Sequence, residues 1–182
     1  MKIGIIGIGC ITVDFANRAS IAGYEVLISQ IQNNRALSEV VETIGKNVKL
    51  VSIDEAVQAE IVILFVPREK IEFLMQQLPD MTEKIILHTN NKIFSLEPLK
   101  FNSGSRSSSE IIASFLPTAH VVTVYNVMQP MIIMPRRPDQ NNNDIFYTAA
   151  NKYIKEYVRI FLESLDFAGH DLAELYQFSA LN

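Results

Sequence analysis

The 182-residue chain has no tryptophan, one cysteine, three histidines and no long hydrophobic run. Cys10 alone closes no internal disulfide and cannot by itself build a zinc site. His88, His120 and His170 have no metal-ligand spacing with it or with one another. No metal is expected, and the lack of disulfides reads as a cytoplasmic protein. The longest apolar run, Ile61–Pro67, falls far short of the roughly 20 residues of a membrane helix. The apolar opening Ile3–Ile11 is broken by Gly4, Gly7 and Gly9. Asp14 and Arg18 follow it without a small-residue cleavage site, so it does not read as a secretion signal. Sixteen basic against twenty acidic residues leave a net charge of −4, without the basic excess that nucleic-acid binding uses. Seven glycines and seven prolines exclude collagen-like and Gly/Pro-rich low-complexity classes.

What is present is 48% hydrophobic residues with 20% charged, enough for one folded core. Short β-branched runs alternate with segments of helical period. Lys2–Gly7, Glu25–Ser29, Val48–Ser52, Ile61–Val66, Lys84–His88 and Val121–Asn126 read as strands, and Met131–Met134 as a candidate seventh. Cys10–Ala22, Ala36–Ile44, Asp54–Ala59, a stripe from Ile71 to Leu78, Ser107–Leu116 and Ala150–Leu165 read as helices. Thr89–Gly104 reads as a long connection, Pro135–Asp144 as a polar surface loop, and Asp171–Gln177 as a final turn. The β-α-β order predicts an α/β fold, a doubly wound and mostly parallel sheet with right-handed crossovers. No linker splits the chain. The expectation is one domain over residues 1–182, with 145–182 as a short C-terminal helical extension.

One segment carries chemistry. Gly7-Ile8-Gly9-Cys10-Ile11-Thr12 follows the first strand and opens the first helix. In a Rossmann-type dinucleotide fold the first glycine makes the tight turn and the second lets the backbone approach the pyrophosphate. The third lets helix and strand pack closely, and the helix N-terminus offers free N–H groups to the anion. Thr12 stands at the third position. At the end of the second strand an NAD site usually places a carboxylate for the ribose diol. The segment Val26–Asn34 has none; it offers Ser29, Gln30, Gln32, Asn33 and Asn34, followed by Arg35. Neutral donors with one cation suit a 2′-phosphate, which favours NADP over NAD; a polar turn with Asn34 as N-cap is the plainer alternative.

These residues resemble a family. The opening KIGIIGIG, Pro67 after the fourth strand, Thr89-Asn90 after the fifth, Ser107–Pro117 and the strand ending Tyr125-Asn126 occur in the order seen in NADPH-dependent coenzyme F-420 reductases and their bacterial relatives. The resemblance implies that Gly7, Gly9 and the backbone of Cys10, Ile11 and Thr12 hold the pyrophosphate. It implies that Ser29 and the loop after it hold the 2′-phosphate. Val66 and Pro67 would line the cofactor's path, with Thr89 and Asn90 near the nicotinamide. The implied reaction passes a hydride between NADPH and a flavin- or deazaflavin-like acceptor or another small molecule. Because the two cofactors carry that chemistry, no acid–base pair or nucleophile is needed, and none is identified. The chain departs from the family's usual pattern at Cys10, Thr12, Gln32 and Leu87–Asn91. Those departures motivate the alternative, a non-catalytic dinucleotide-binding redox sensor or regulatory protein.

Other residues invite readings of their own. Cys10 at a helix N-terminus reads as a small buried residue or, less simply, a redox thiolate. His88, at a strand's carboxyl end, and Asn126 are candidates for the substrate side. His120 and His170 read as solvent-facing loop residues. Arg136 and Arg137 read as a solvated loop, or as a clamp for an anionic substrate. Tyr153, Tyr157 and Phe161, at helical spacing, read as core or as the surface of a homodimer. The expected partners are thus a small-molecule cofactor and acceptor, with neither nucleic acid nor membrane.

Overall fold

The computed structural model of the protein describes residues 1–31, 41–92, 106–126 and 143–174. Their elements run β1 (Lys2–Ile6), α1 (Cys10–Ile21), β2 (Glu25–Ser29), β3 (Val48–Leu50), α2 (Ile53–Ala56), β4 (Ile61–Leu64), α3 (Arg68–Met75), β5 (Ile85–Lys92), α4 (Ser108–Phe115), β6 (His120–Asn126), β7 (Asp144–Thr148), α5 (Lys152–Ser164) and β8 (Ala168–Asp171). Residues 41–44 are also helical. No helix among the described residues is long and apolar enough to cross a membrane.

The described strands form one eight-stranded sheet in the order β3-β2-β1-β4-β5-β6-β7-β8. β3 to β6 across this order are parallel, β7 runs antiparallel to β6, and β8 is parallel to β7. The chain steps outward from β1 to β2 and β3, then crosses back to β4 on the other side of β1. That reversal puts a crevice at the carboxyl ends of β1 and β4, where open α/β sheets bind ligands. The fold is therefore the expected doubly wound, Rossmann-like α/β sheet.

Strand alternation divides the core between the two faces. Ile3, Ile5, Val26, Ile28, Ile61, Ile63 and Leu87 pack with Phe15, Ala19, Val158 and Leu162 on one face. Ile6, Val62, Leu64, Val66 and Ile86 pack with Ile71, Leu74, Ile111 and Ile112 on the other. Because β1 and β4 are buried on both faces, they read as continuous apolar runs.

The structure corrects several expectations. β5 continues to Lys92, with a register shift between His88 and Asn91, so Thr89–Lys92 is strand rather than connection. Its polar residues hid it from any hydrophobic pattern. Asp144, expected to close a loop, begins β7, and the expected C-terminal helix α5 lies between two further strands. β8 (AGHD) has a weak strand composition and exists because β7 offers it an edge. His120 and His170 sit in β6 and β8; His120 Nε2 lies 3.2 Å from Glu83, and His170 Nε2 lies 2.8 Å from Asp144. Met131–Met134, Arg136 and Arg137, the start of the Ala36–Ile44 helix and the tail beyond 174 lie outside the described residues.

Candidate dinucleotide site

The glycine turn sits in the crevice between β1 and β4. Gly7 has φ +91°, a left-handed conformation that favours glycine. Its N–H donates to Ser29 O at 2.9 Å, tying the turn to the end of β2. A side chain on Gly7 would also strike the carbonyl of Phe65, just past β4. Two neighbouring strands thus fix the turn where it leaves β1.

Gly9 is the N-cap of α1 in extended backbone. With no side-chain oxygen of its own, it is served by Thr12: Oγ1 accepts from Gly9 N at 2.9 Å and donates to Gly9 O at 3.1 Å. Thr12 is buried and closes the turn internally, where a third glycine would only make room. This uses the Gly9 amide. Helix geometry leaves the amides of Cys10, Ile11 and Thr12 without an intrahelical acceptor.

The charge around that helix start distinguishes it from the other described helices that begin at this edge of the sheet; α5, which starts at the opposite edge, also lacks a first-turn acid. α2, α3 and α4 carry Asp54 and Glu55, Glu69, and Glu110 in their first turns, where the acids themselves take up the positive end of the dipole. α1 has no acid in its first turn. No carboxylate of its own first turn competes there with an external anion such as a phosphate group. Cys10, on this turn, is exposed rather than buried.

Of the other expected residues, those described fall along the same edge of the sheet. Ser29 is buried at the end of β2, and Gln30 is half-buried after it. Val66 is buried among Ile71 and Leu74, whereas Pro67 is exposed as the N-cap of α3. Thr89 is buried, its hydroxyl donating to Leu64 O at 2.9 Å, so it clamps β5 to β4. Asn90 lies in β5 and Asn126 ends β6. Gln32 and Arg35 lie outside the described residues.

His88 is wholly buried on β5, two strands or about 10 Å across the sheet from β1. Burial depresses its pKa from 6.5 to about 4, so the ring is neutral at physiological pH. Thr123 Oγ1 donates to Ser109 Oγ at 2.7 Å, and Ser109 Oγ lies 3.4 Å from His88 Nδ1. With Thr123 donating, the Ser109 proton is left for Nδ1, which favours the Nε2–H tautomer.

Sequence reasoning missed Phe65, Ser109 and Thr123. Phe65 carried one signal, an aromatic directly before Val66-Pro67, but only the strand order puts it against the glycine turn. Nothing in the sequence singled out Ser109 or Thr123. Among the described residues no group of three or more metal-binding side chains assembles.

Comparisons with known proteins bear on the family and the fold. Residues 2–92 match the model of the family described as NADP oxidoreductase, coenzyme F-420-dependent. Among solved structures, the chain is similar to a hypothetical protein of Sinorhizobium meliloti, with 30% identity over 94% of this chain and 85% of that one, at a TM-score of 0.74. It is similar to a candidate F-420-dependent NADP reductase of Arthrobacter sp., with 22% identity over 94% and 84%, at 0.71. An imine reductase of Aspergillus terreus, solved with NADPH4, shares 17% identity over 99% of this chain and 60% of its own, at 0.63. The last two likenesses show the fold alone. No curated protein sequence matches the chain.

Proposed function

The chain belongs to the family of coenzyme F-420-dependent NADP oxidoreductases, and we propose that it binds NADP(H) at the carboxyl edge of its sheet and passes a hydride between the nicotinamide and a flat flavin- or deazaflavin-like acceptor. The observation that carries this reading is the acid-free start of α1, behind a two-glycine turn, at the strand-order reversal between β1 and β4. The residues fit a dinucleotide. Gly7 and Gly9 shape the turn, and the amides of Cys10, Ile11 and Thr12 would hold the pyrophosphate.

In this reading Ser29, Gln30, Gln32 and Arg35 serve the 2′-phosphate at the end of β2. Val66 and Pro67 line the path of the cofactor, and Thr89 and Asn90 stand towards the nicotinamide. His88, neutral and buried, shapes the substrate side with Asn126. The bound nicotinamide supplies the hydride; the chain orients the two rings and keeps water away, which needs no acid or base on the protein.

The test is a titration with NADPH and separately NADH, following nicotinamide fluorescence against a protein that has no tryptophan. NADPH binding in the micromolar range with weaker NADH is expected. Arg35→Ala should then weaken NADPH far more than NADH, by about 1.5–3 kcal/mol for a charge-assisted contact. Equal loss for both would reject the phosphate assignment. Failure to bind either cofactor would reject the function.

A further inference from the structure

Both glycines of the turn face the same residue. Gly7 backs onto the Phe65 carbonyl, and a Cβ built on Gly9 would lie 2.5 Å from Phe65 Cε1, 2.6 Å from Cζ and 3.1 Å from Cδ1. The edge of the Phe65 ring therefore rests on Gly9, on the side where a side chain would project. In a dinucleotide turn the second glycine is bare so that the pyrophosphate can come close to the backbone. A ring and an anion cannot share that space.

From this we infer that Phe65 occupies the approach of the pyrophosphate to Gly9 and sets the cofactor affinity of the site, an inference that rests on the dinucleotide reading above. The Phe65 backbone cannot yield, because its N–H donates to Ile6 O at 2.9 Å and its carbonyl abuts Gly7. The side chain can. Its ring is only half-buried, at the rim of the cluster that holds Phe15 and Ile63. Rotation about the Cα–Cβ bond moves the ring to another staggered position without disturbing β4. Cofactor then binds the ring-out population, and its apparent affinity is reduced by the fraction of molecules in that state.

The test uses Phe65→Ala and the milder Phe65→Leu, each compared with the native chain by NADPH, NADH and adenosine 2′-phosphate titration. Phe65→Ala should tighten NADPH and NADH alike, by about tenfold or more if the open rotamer is a minor state of a tenth or less. Phe65→Leu should tighten them by less. Adenosine 2′-phosphate has no pyrophosphate, and its affinity should not change. Unchanged or weaker NADPH binding in a folded Phe65→Leu protein would overturn the inference and make the ring a support for the turn. A second readout needs no variant: the NOE between the Phe65 ring and the Gly9 α-protons should vanish when NADPH binds the native chain. Its persistence with bound NADPH would overturn the role of Phe65 and leave the dinucleotide site standing. If neither the native chain nor Phe65→Ala binds any dinucleotide, the dinucleotide reading itself falls with it.

Discussion

The carboxyl and amino edges of the sheet are built for different ends. At the carboxyl edge α1, α2, α3 and α4 begin, and the backbone of three strands shapes the glycine turn. At the amino edge α5 lies across the strand starts: Tyr157 Oη donates to Met1 Sδ before β1, and Tyr24 Oη before β2 donates to Ser164 Oγ at 2.9 Å. Between the first turn of α5 and the starts of β5 and β6 remains a cavity of about 570 Å³, lined by Glu60, Glu83, Lys84, His120, Tyr153 and Tyr157. Yet Lys84, Glu83 and His120 are already engaged. Lys84 Nζ donates to Ala59 O at 3.0 Å and to Gln58 O at 3.3 Å, and Glu83 meets His120. Room alone does not mark a ligand site; in open α/β sheets ligands bind at the strand-order reversal.

The carboxyl edge is most sensitive at the turn. Gly7→Ala forces a side chain into a left-handed residue and against the Phe65 carbonyl. It should cost on the order of 4 kcal/mol, read as a fall in the urea midpoint. Next comes the tie between α1 and the C-terminal strands. Arg18 donates to Asp166 O at 2.8 Å, Asn143 Oδ1 at 2.9 Å and Asp14 Oδ1 at 3.1 Å, and its guanidinium stands 4.2 Å from the centre of the Phe167 ring. Arg18→Ala should cost about 3 kcal/mol by the same measurement.

A smaller effect follows from pH. Burial holds His88 at about 4, below its ordinary 6.5, so between those values the unfolded chain binds a proton that the folded chain excludes. Stability is unaffected by this group above pH 6.5 and falls as pH drops through the window, by about 2 kcal/mol between pH 7 and 5. His88→Gln should flatten that slope in denaturation curves at successive pH values. The smallest effect belongs to the amino edge. Tyr153 is 75% exposed, and Tyr153→Ala should shift stability by less than about 0.5 kcal/mol and leave NADPH affinity unchanged.

The same contrast explains what the sequence disclosed. β1, α1, β2 and β4 were legible because burial on both faces makes an apolar run and a single stripe makes a helix. Gly7 and Gly9 stood out because glycine between strand and helix has few other uses. β8 and the end of β5 were hidden, since AGHD and Thr89–Lys92 are strands only by virtue of their neighbours. Arg18 carried no signal of its role, because its acceptors Asn143 and Asp166 lie 125 and 148 residues away. Phe65 looked like one more strand hydrophobe until the sheet order set it against Gly9.

The most direct test of where the ligand binds is an amide NMR map of the native chain as NADPH is added. The largest shifts should fall on Gly7 to Val13 and on Ser29 to Ile31, at the carboxyl edge. Shifts concentrated on Lys84, His120 and Tyr153, around the amino-edge cavity, would contradict this placement.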